Sequence, residues 1–390
     1  MIAPAELAAH YSRFRVCERL LLTGHSHQAW PDVARDAVIE AWDDAASEVD
    51  RKWERAAAKG DRLRAGVRTL LDDPGSEVAL AASTHDLVVR FLSALDLGRR
   101  PRLVTTDGEF HSARRQLARL AEAGLDVVRV PAGPVESLAE RLAAEVDDRT
   151  AAVVVSSVLF ETSRLVPGLD QLAAACERRG AELLVDAYHQ LGVVPLSLPR
   201  AGLAEAWVVG GGYKYLQLGE GNCFLRVPPH AAGLRPVVTG WYAEFGDLAG
   251  APPGGVAYAA GAAFAGATYD PTSHYRAARA LDFFDEHGLT PEALRERSLH
   301  QRGLLVEAFD ELDLPDDLAT RDREAPAEAF GGFLAVLSDR AAQLQEGLAA
   351  AGVHTDSRSR HLRFGPAPYV TDEQLRAAMT ALGEVARRLG

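Results

Sequence analysis

Five short runs rich in branched apolar residues constrain this chain most: Arg102–Thr106, Asp126–Pro131, Ala151–Ser157, Ala181–Asp186 and Ala206–Gly211. Amphipathic stretches separate them, at Asp86–Leu97, Ser112–Ala123, Val135–Val146 and Leu169–Arg179. A strand, helix, strand rhythm of this kind predicts an α/β architecture, a mainly parallel sheet with helices on both faces. After Tyr275 the pattern shifts to longer helical segments, and strand candidates remain only at Gly332–Leu337 and His361–Phe364. A single core stops growing near roughly 250 to 300 residues, so 390 residues call for two lobes. We assign residues 46–280 to a large domain and 281–390 to a small α+β domain, with residues 1–45 joining the small one. Leu248–Ala267, rich in alanine, glycine and proline, reads as a long loop. In open sheets of this kind ligands sit beyond the carboxyl ends of the strands.

Charge and cysteine usage narrow the function classes. With 42 basic against 55 acidic side chains the net charge is -13, which disfavours nucleic acid and anionic membrane surfaces as partners. Cys17, Cys176 and Cys223 are widely spaced and form no CxxC pair, so neither a disulfide framework nor a zinc cage is expected, and a reducing cytoplasm fits. Charges at Glu6, Arg13, Arg15, Glu18 and Arg19 interrupt the first apolar residues, so no signal core or membrane span is drawn there. The histidines show no metal-ligand spacing, and no metal role is assigned.

Lysine is rare: among the 42 basic residues only Lys52, Lys59 and Lys214 are lysines. The first two fall on a charged helical segment and read as a solvated face. Lys214 instead follows an apolar strand in VVGGGYKYLQLGEG, between Tyr213 and Tyr215. An arginine cannot form an imine at neutral pH, whereas a partly buried lysine can shed its proton and attack an aldehyde. Upstream, Asp186 ends a buried strand and His189 follows three residues later. A carboxylate there can pair with a protonated ring nitrogen and keep a pyridine an electron sink; alternatively it caps the next helix. Ser83 and Thr84, between an apolar strand and a helix, suit a phosphate at a helix start, or an ordinary N-cap. Phe110 and His111, at the next strand end, are candidates to lie against a cofactor ring.

These features resemble the class V branch of fold-type I pyridoxal-phosphate enzymes, and within it kynureninase and its relatives. The resemblance rests on Asp186 with His189, Tyr213 to Leu216, Gly240-Trp241, Leu362 to Pro368, and Gly24-His25-Ser26 in place of a glycine, asparagine, serine signature. It implies a mainly parallel seven-stranded sheet and pyridoxal 5′-phosphate held on Lys214 as a Schiff base. By the same resemblance Asp186 faces the pyridine nitrogen, His189, Phe110 and His111 lie by the ring, and Tyr213 with Ser83 or Thr84 binds the phosphate. It implies Arg363 as a clamp on the substrate carboxylate, with His25, Ser26 and Asp270 also on the substrate side. It implies a homodimer with shared sites, in which Trp241 and Thr268 reach the partner's phosphate. The activity implied is hydrolysis of a Cβ–Cγ bond in a kynurenine-type amino acid with release of alanine; a class V aminotransferase or β-lyase (C–S lyase) is the alternative. Asp270 stands where kynureninases carry an asparagine, and an ionised carboxylate cannot donate to a ketone. No cysteine follows Cys223, which disfavours a desulfurase. A lysine aldolase leaves Asp186, the phosphate loop and Arg363 unexplained, and a non-catalytic binding module predicts no imine absorbance.

Overall fold

The seven-stranded sheet is built from β1 (Glu77–Ala81), β2 (Arg102–Thr106), β3 (Asp126–Val130), β4 (Thr150–Ser156), β5 (Glu182–Asp186), β6 (Trp207–Gly211) and β7 (Cys223–Val227). Its order is β1-β7-β6-β5-β4-β2-β3, parallel except at β7, which runs antiparallel to both β1 and β6. The computed structural model describes residues 3–245 and 255–389. Within the strands successive side chains face opposite sides, and both sides are apolar. Val153, Val155, Leu183 and Val185 bury with Leu63 and Val67 of the helix Lys52–Leu70 and with Leu172 of Leu169–Arg179. Ala152, Val154 and Leu184 bury against Phe91 of Thr84–Ser93 and Leu117 of His111–Glu122. That two-sided burial is why the sequence shows continuous apolar runs rather than alternation.

A second apolar cluster gathers the helices Pro291–Asp310, Ala341–Ala350 and Asp372–Leu389 around a three-stranded antiparallel sheet, Leu334–Leu337, Asp356–Arg358 and His361–Phe364. Leu7, Tyr11 and Leu22 from the N-terminal segment belong to this same cluster. Leu20–Leu21 pairs in parallel with Val353–His354. Gly24 then donates its N–H to the Gly365 carbonyl at 2.7 Å, and a Cβ on Gly24 would lie 2.9 Å from the carbonyl oxygens of Gly365 and Pro366. Only glycine permits that approach, which ties the GHS segment to the LRFG segment.

The expected strands and helices are present with small shifts. Leu169–Arg179 and His361–Phe364 match to the residue, and Val135–Val146 opens as a 3₁₀ turn before the helix Leu138–Ala144. In the expected loop Leu248–Ala267, residues 248–254 lie outside the described residues, and 255–267 contain no helix or strand. Among the described residues, no helix is long and apolar enough to cross a membrane.

Candidate active site

Lys214 sits on the connection from β6 to β7. Because these strands are antiparallel neighbours, with Gly211 opposite Cys223, the connection leaves and rejoins the same end of the sheet. It is braced internally: Leu218 N–H donates to the Gly212 carbonyl at 2.8 Å, and Asn222 Nδ2 donates to the Leu218 carbonyl at 2.9 Å. From outside, Tyr11 donates its hydroxyl to Gln217 Oε1. The result is a buried amine whose Nζ lies 2.7 Å from His189 Nε2 and 4.9 and 5.0 Å from the ring centres of Tyr188 and Phe110. Burial pushes the Lys214 ammonium down to about 7, with Asp186 opposing the shift and Arg363 adding to it. Burial, then the nearby Lys214 and Arg363, hold His189 well below the usual imidazole range. Neutral His189 therefore accepts at Nε2 from charged Lys214, which puts its own hydrogen on Nδ1.

Asp186 ends β5, paired to Ser156 on one side and Val209 on the other. Burial raises its carboxyl pKa, against the Tyr188 N–H donated to Oδ1 at 2.9 Å and the positive Lys214. That hydrogen bond spans two residues, so Asp186 also caps the turn that carries His189. Behind it lies a residue sequence reasoning passed over. Glu109 is buried, accepts from Ser156 N–H at 2.9 Å and from Ser156 Oγ at 2.6 Å, and is pushed up to about 8 by burial. Its only sequence signal was an acid three residues past a strand end.

Arg363 is buried and electrostatically coupled to Lys214, but its fork is already engaged. Asp356 lies directly across the antiparallel pair from it and takes Nε at 2.9 Å together with Nη2, while Nη1 donates to the Phe160 carbonyl. His25, fully buried, bonds through Nε2 to the same Asp356 at 2.7 Å. Burial sends His25 down to about 4, and its neutral ring donates to an Asp356 carboxylate held well below the usual range by His25 and Arg363 despite burial. Asp356, like Glu109, was missed.

The other candidates divide. Ser83 caps the helix Thr84–Ser93, accepting from Asp86 N–H at 3.2 Å, so the N-terminus of this helix opens beside Ser83 and Thr84. Tyr213 packs 4.9 Å from Tyr188 and stacks on His27, which is bonded at 3.2 Å to Ser26. His111 is exposed and bonded to Arg114 at 3.0 Å, with its ring 5.4 Å from Phe160. Trp241 and Thr268 are joined to each other by an Nε1 to Oγ1 bond of 3.1 Å, and both are exposed. Asp270 is exposed too, accepting from Thr272 N–H at 2.9 Å at the start of the helix Thr272–Glu286. Within one chain these last three are not joined to Lys214 by any bond among the described residues.

The cluster meets the demands of pyridoxal 5′-phosphate. Among the described residues Lys214 has no carboxylate salt-bridge partner, the second oxygen of Asp186 accepts no hydrogen bond, and a helix N-terminus stands open by Ser83 and Thr84. An aldehyde, a protonated ring nitrogen and a phosphate fit these three groups in turn. The fold is shared with fold-type I pyridoxal-phosphate enzymes, and the site resembles that of their class V aminotransferase-like branch.

Similarity to individual proteins is spread over several activities. A kynureninase of Pseudomonas fluorescens is 27% identical over 419 residues, spanning 99% of this chain and 94% of the relative. An uncharacterised aminotransferase of Bacillus subtilis strain 168 is 25% identical over 332 residues, 84% of each chain. Among solved structures, a cystine C–S lyase in complex with its product cysteine persulfide superposes with a TM-score of 0.81 at 18% identity, covering 95% of this chain and 98% of its own. A cysteine desulfurase from Thermococcus onnurineus NA1 gives 0.79 at 16% identity, covering 100% and 99%. No protein-family model matches the chain.

Proposed function

We propose that this protein acts on an amino acid with pyridoxal phosphate on Lys214, by kynureninase-like cleavage of a Cβ–Cγ bond that releases alanine. The observation that carries the proposal is the buried Lys214 amine, bonded at 2.7 Å to a neutral histidine, with the half-buried Asp186 carboxyl at the adjacent strand end. Similarity to a kynureninase over 99% of the chain supports the choice of reaction.

When bound, the cofactor supplies an electrophilic aldehyde and a ring that takes up electron density from Cα. The chain's residues supply the rest. With its pKa near 7, Lys214 loses a proton at neutral pH, so its amine can attack the aldehyde and, once freed, take the Cα proton. His189 holds that amine in place and accepts from it. Asp186, with one oxygen fixed by the Tyr188 N–H, keeps the other for a ring N–H. A substrate carboxylate reaches Arg363 by sharing or replacing the Asp356 contacts, and a planar fork suits either carboxylate. In the same proposal the protein is a homodimer, Trp241 and Thr268 serve the partner's phosphate, and the domain division is the one given above.

A thiol-based desulfurase gains no support: Cys176 and Cys223 are buried with thiols pushed up to about 12, and Cys17 lies in the N-terminal segment. The second reading, an aminotransferase or C–S lyase, is favoured by Asp270 in place of the asparagine of kynureninases. The test is an absorbance spectrum of the purified, cofactor-supplied protein, followed by L-kynurenine, 3-hydroxykynurenine, L-alanine and cysteine conjugates. Alanine with an anthranilate supports the hydrolase. Pyruvate from a conjugate supports the lyase, and a keto acid with the amine form of the cofactor supports the transaminase.

A further inference from the structure

A cavity of about 1000 Å³, lined by neither Lys214, His189, Asp186 nor Arg363, lies between the loops that follow β3 and β4 and the segment 320–330. One arginine in its wall stands out. Arg302 is 5% exposed, its Nε is buried without a partner, and among the described residues it makes neither a hydrogen bond nor an ion pair. Its guanidinium lies 3.7 Å from the centre of the Phe330 ring. The other arginines of this wall are matched: Arg164 by Glu136 and Asp322, Arg321 by Asp310, and Arg323 by Asp316. Burial, with Arg321 and Arg295 nearby, lowers the Arg302 pKa to about 10, so the group still carries its charge at neutral pH. A buried charge without a counter-ion is costly, and stacking on a ring offsets only part of that cost.

We propose that this cavity binds a small monocarboxylate with a flat apolar body, its carboxylate on Arg302 and its body against Phe330. One unmatched positive charge calls for one negative charge. A polyanion would meet the carboxylates of Glu136, Asp322 and Glu324 in the same wall. The remaining surface, with Leu159, Leu165, Pro134 and Pro326, suits an aryl group rather than a sugar. None of these residues belongs to the catalytic cluster, so the inference stands apart from the reaction proposed above.

Titration calorimetry of the cofactor-loaded protein with benzoate tests it, with inorganic phosphate as the comparison probe. The expected result is saturable benzoate binding that Arg302→Met weakens about tenfold or more, the loss of a charge-assisted bond. Arg363→Met leaves this binding unchanged. Should Arg302→Met fail to fold, Ala325→Glu places a carboxylate in the same cavity from a loop position and is expected to abolish binding. No benzoate binding, phosphate bound more tightly than benzoate, or a loss caused by Arg363→Met and not by Arg302→Met would overturn the proposal.

Discussion

The Lys214 cluster and the segment from Gly240 to Asp270 are built in opposite ways. Asp186 ends a paired strand, and Lys214 and His189 sit buried on connections that leave paired strands, so the register of the sheet fixes where they start. Trp241, Thr268 and Asp270 sit on a segment whose described part holds one 3₁₀ turn, Trp241–Ala243, and are exposed, with bonds only to near neighbours. The first region is complete within one chain; the second offers its polar groups outward. Large exposed apolar side chains accompany it, with Val237, Trp241, Phe245 and Val256 all more than 40% exposed, as expected of a surface that another molecule covers.

This contrast can be broken by substitution. The largest effect is expected from Lys214→Ala, which should remove the imine absorbance and lower turnover by about 10³-fold or more, measured as kcat. Asp186→Asn should keep the cofactor bound but cut kcat by about 10²-fold, since a neutral amide no longer holds the ring proton. Cofactor uptake by the cofactor-free protein should depend on pH. Lys214 has a depressed pKa, so its reactive neutral fraction is nearly full from about pH 8 upward and about half at about 7. Below that it should fall about tenfold per pH unit, read from the rate of imine formation. Arg363→Met should raise KM about tenfold or more with a smaller change in kcat, because in the role proposed for it the fork holds the substrate carboxylate away from the reacting bond. The smallest effect belongs to the outer segment. Trp241→Ala and Thr268→Ala should weaken cofactor affinity by a few-fold at most, and only where the protein is dimeric. An equal loss in a monomeric form would place these residues in their own chain's site instead.

Legibility from sequence follows the same division. Strands whose apolar side chains face two covered surfaces were readable because branched apolar residues run through their centres, as in Ala151–Val155 and Leu183–Val185. β7 was not, since the charged Arg226 lies within it and is buried. Its fork is satisfied from afar, by Asp73 at 2.6 and 2.7 Å and by the Ala206 carbonyl at 2.9 Å, contacts that no local pattern encodes. Asp356–Arg358 was unreadable for a similar reason: Asp-Ser-Arg has little strand propensity, and the partner strand His361–Phe364 organises it. The same pairing places Asp356 opposite Arg363, so that the expected carboxylate clamp already holds a carboxylate of its own chain. Lys214, by contrast, was visible because a rare residue type followed a buried strand.

The connection that carries Lys214 begins and ends at the same end of two paired strands, which ties its length to the position of the amine. One added residue between Gly211 and Cys223 would displace the amine by up to about 3.8 Å, a full Cα step, which exceeds the 2.7 Å separation from His189. Residues 255–267, free of strand pairing, have no such limit. A scaffold made this way can vary what it accepts by growing or trimming its periphery, while the number of residues around the reactive amine stays constant.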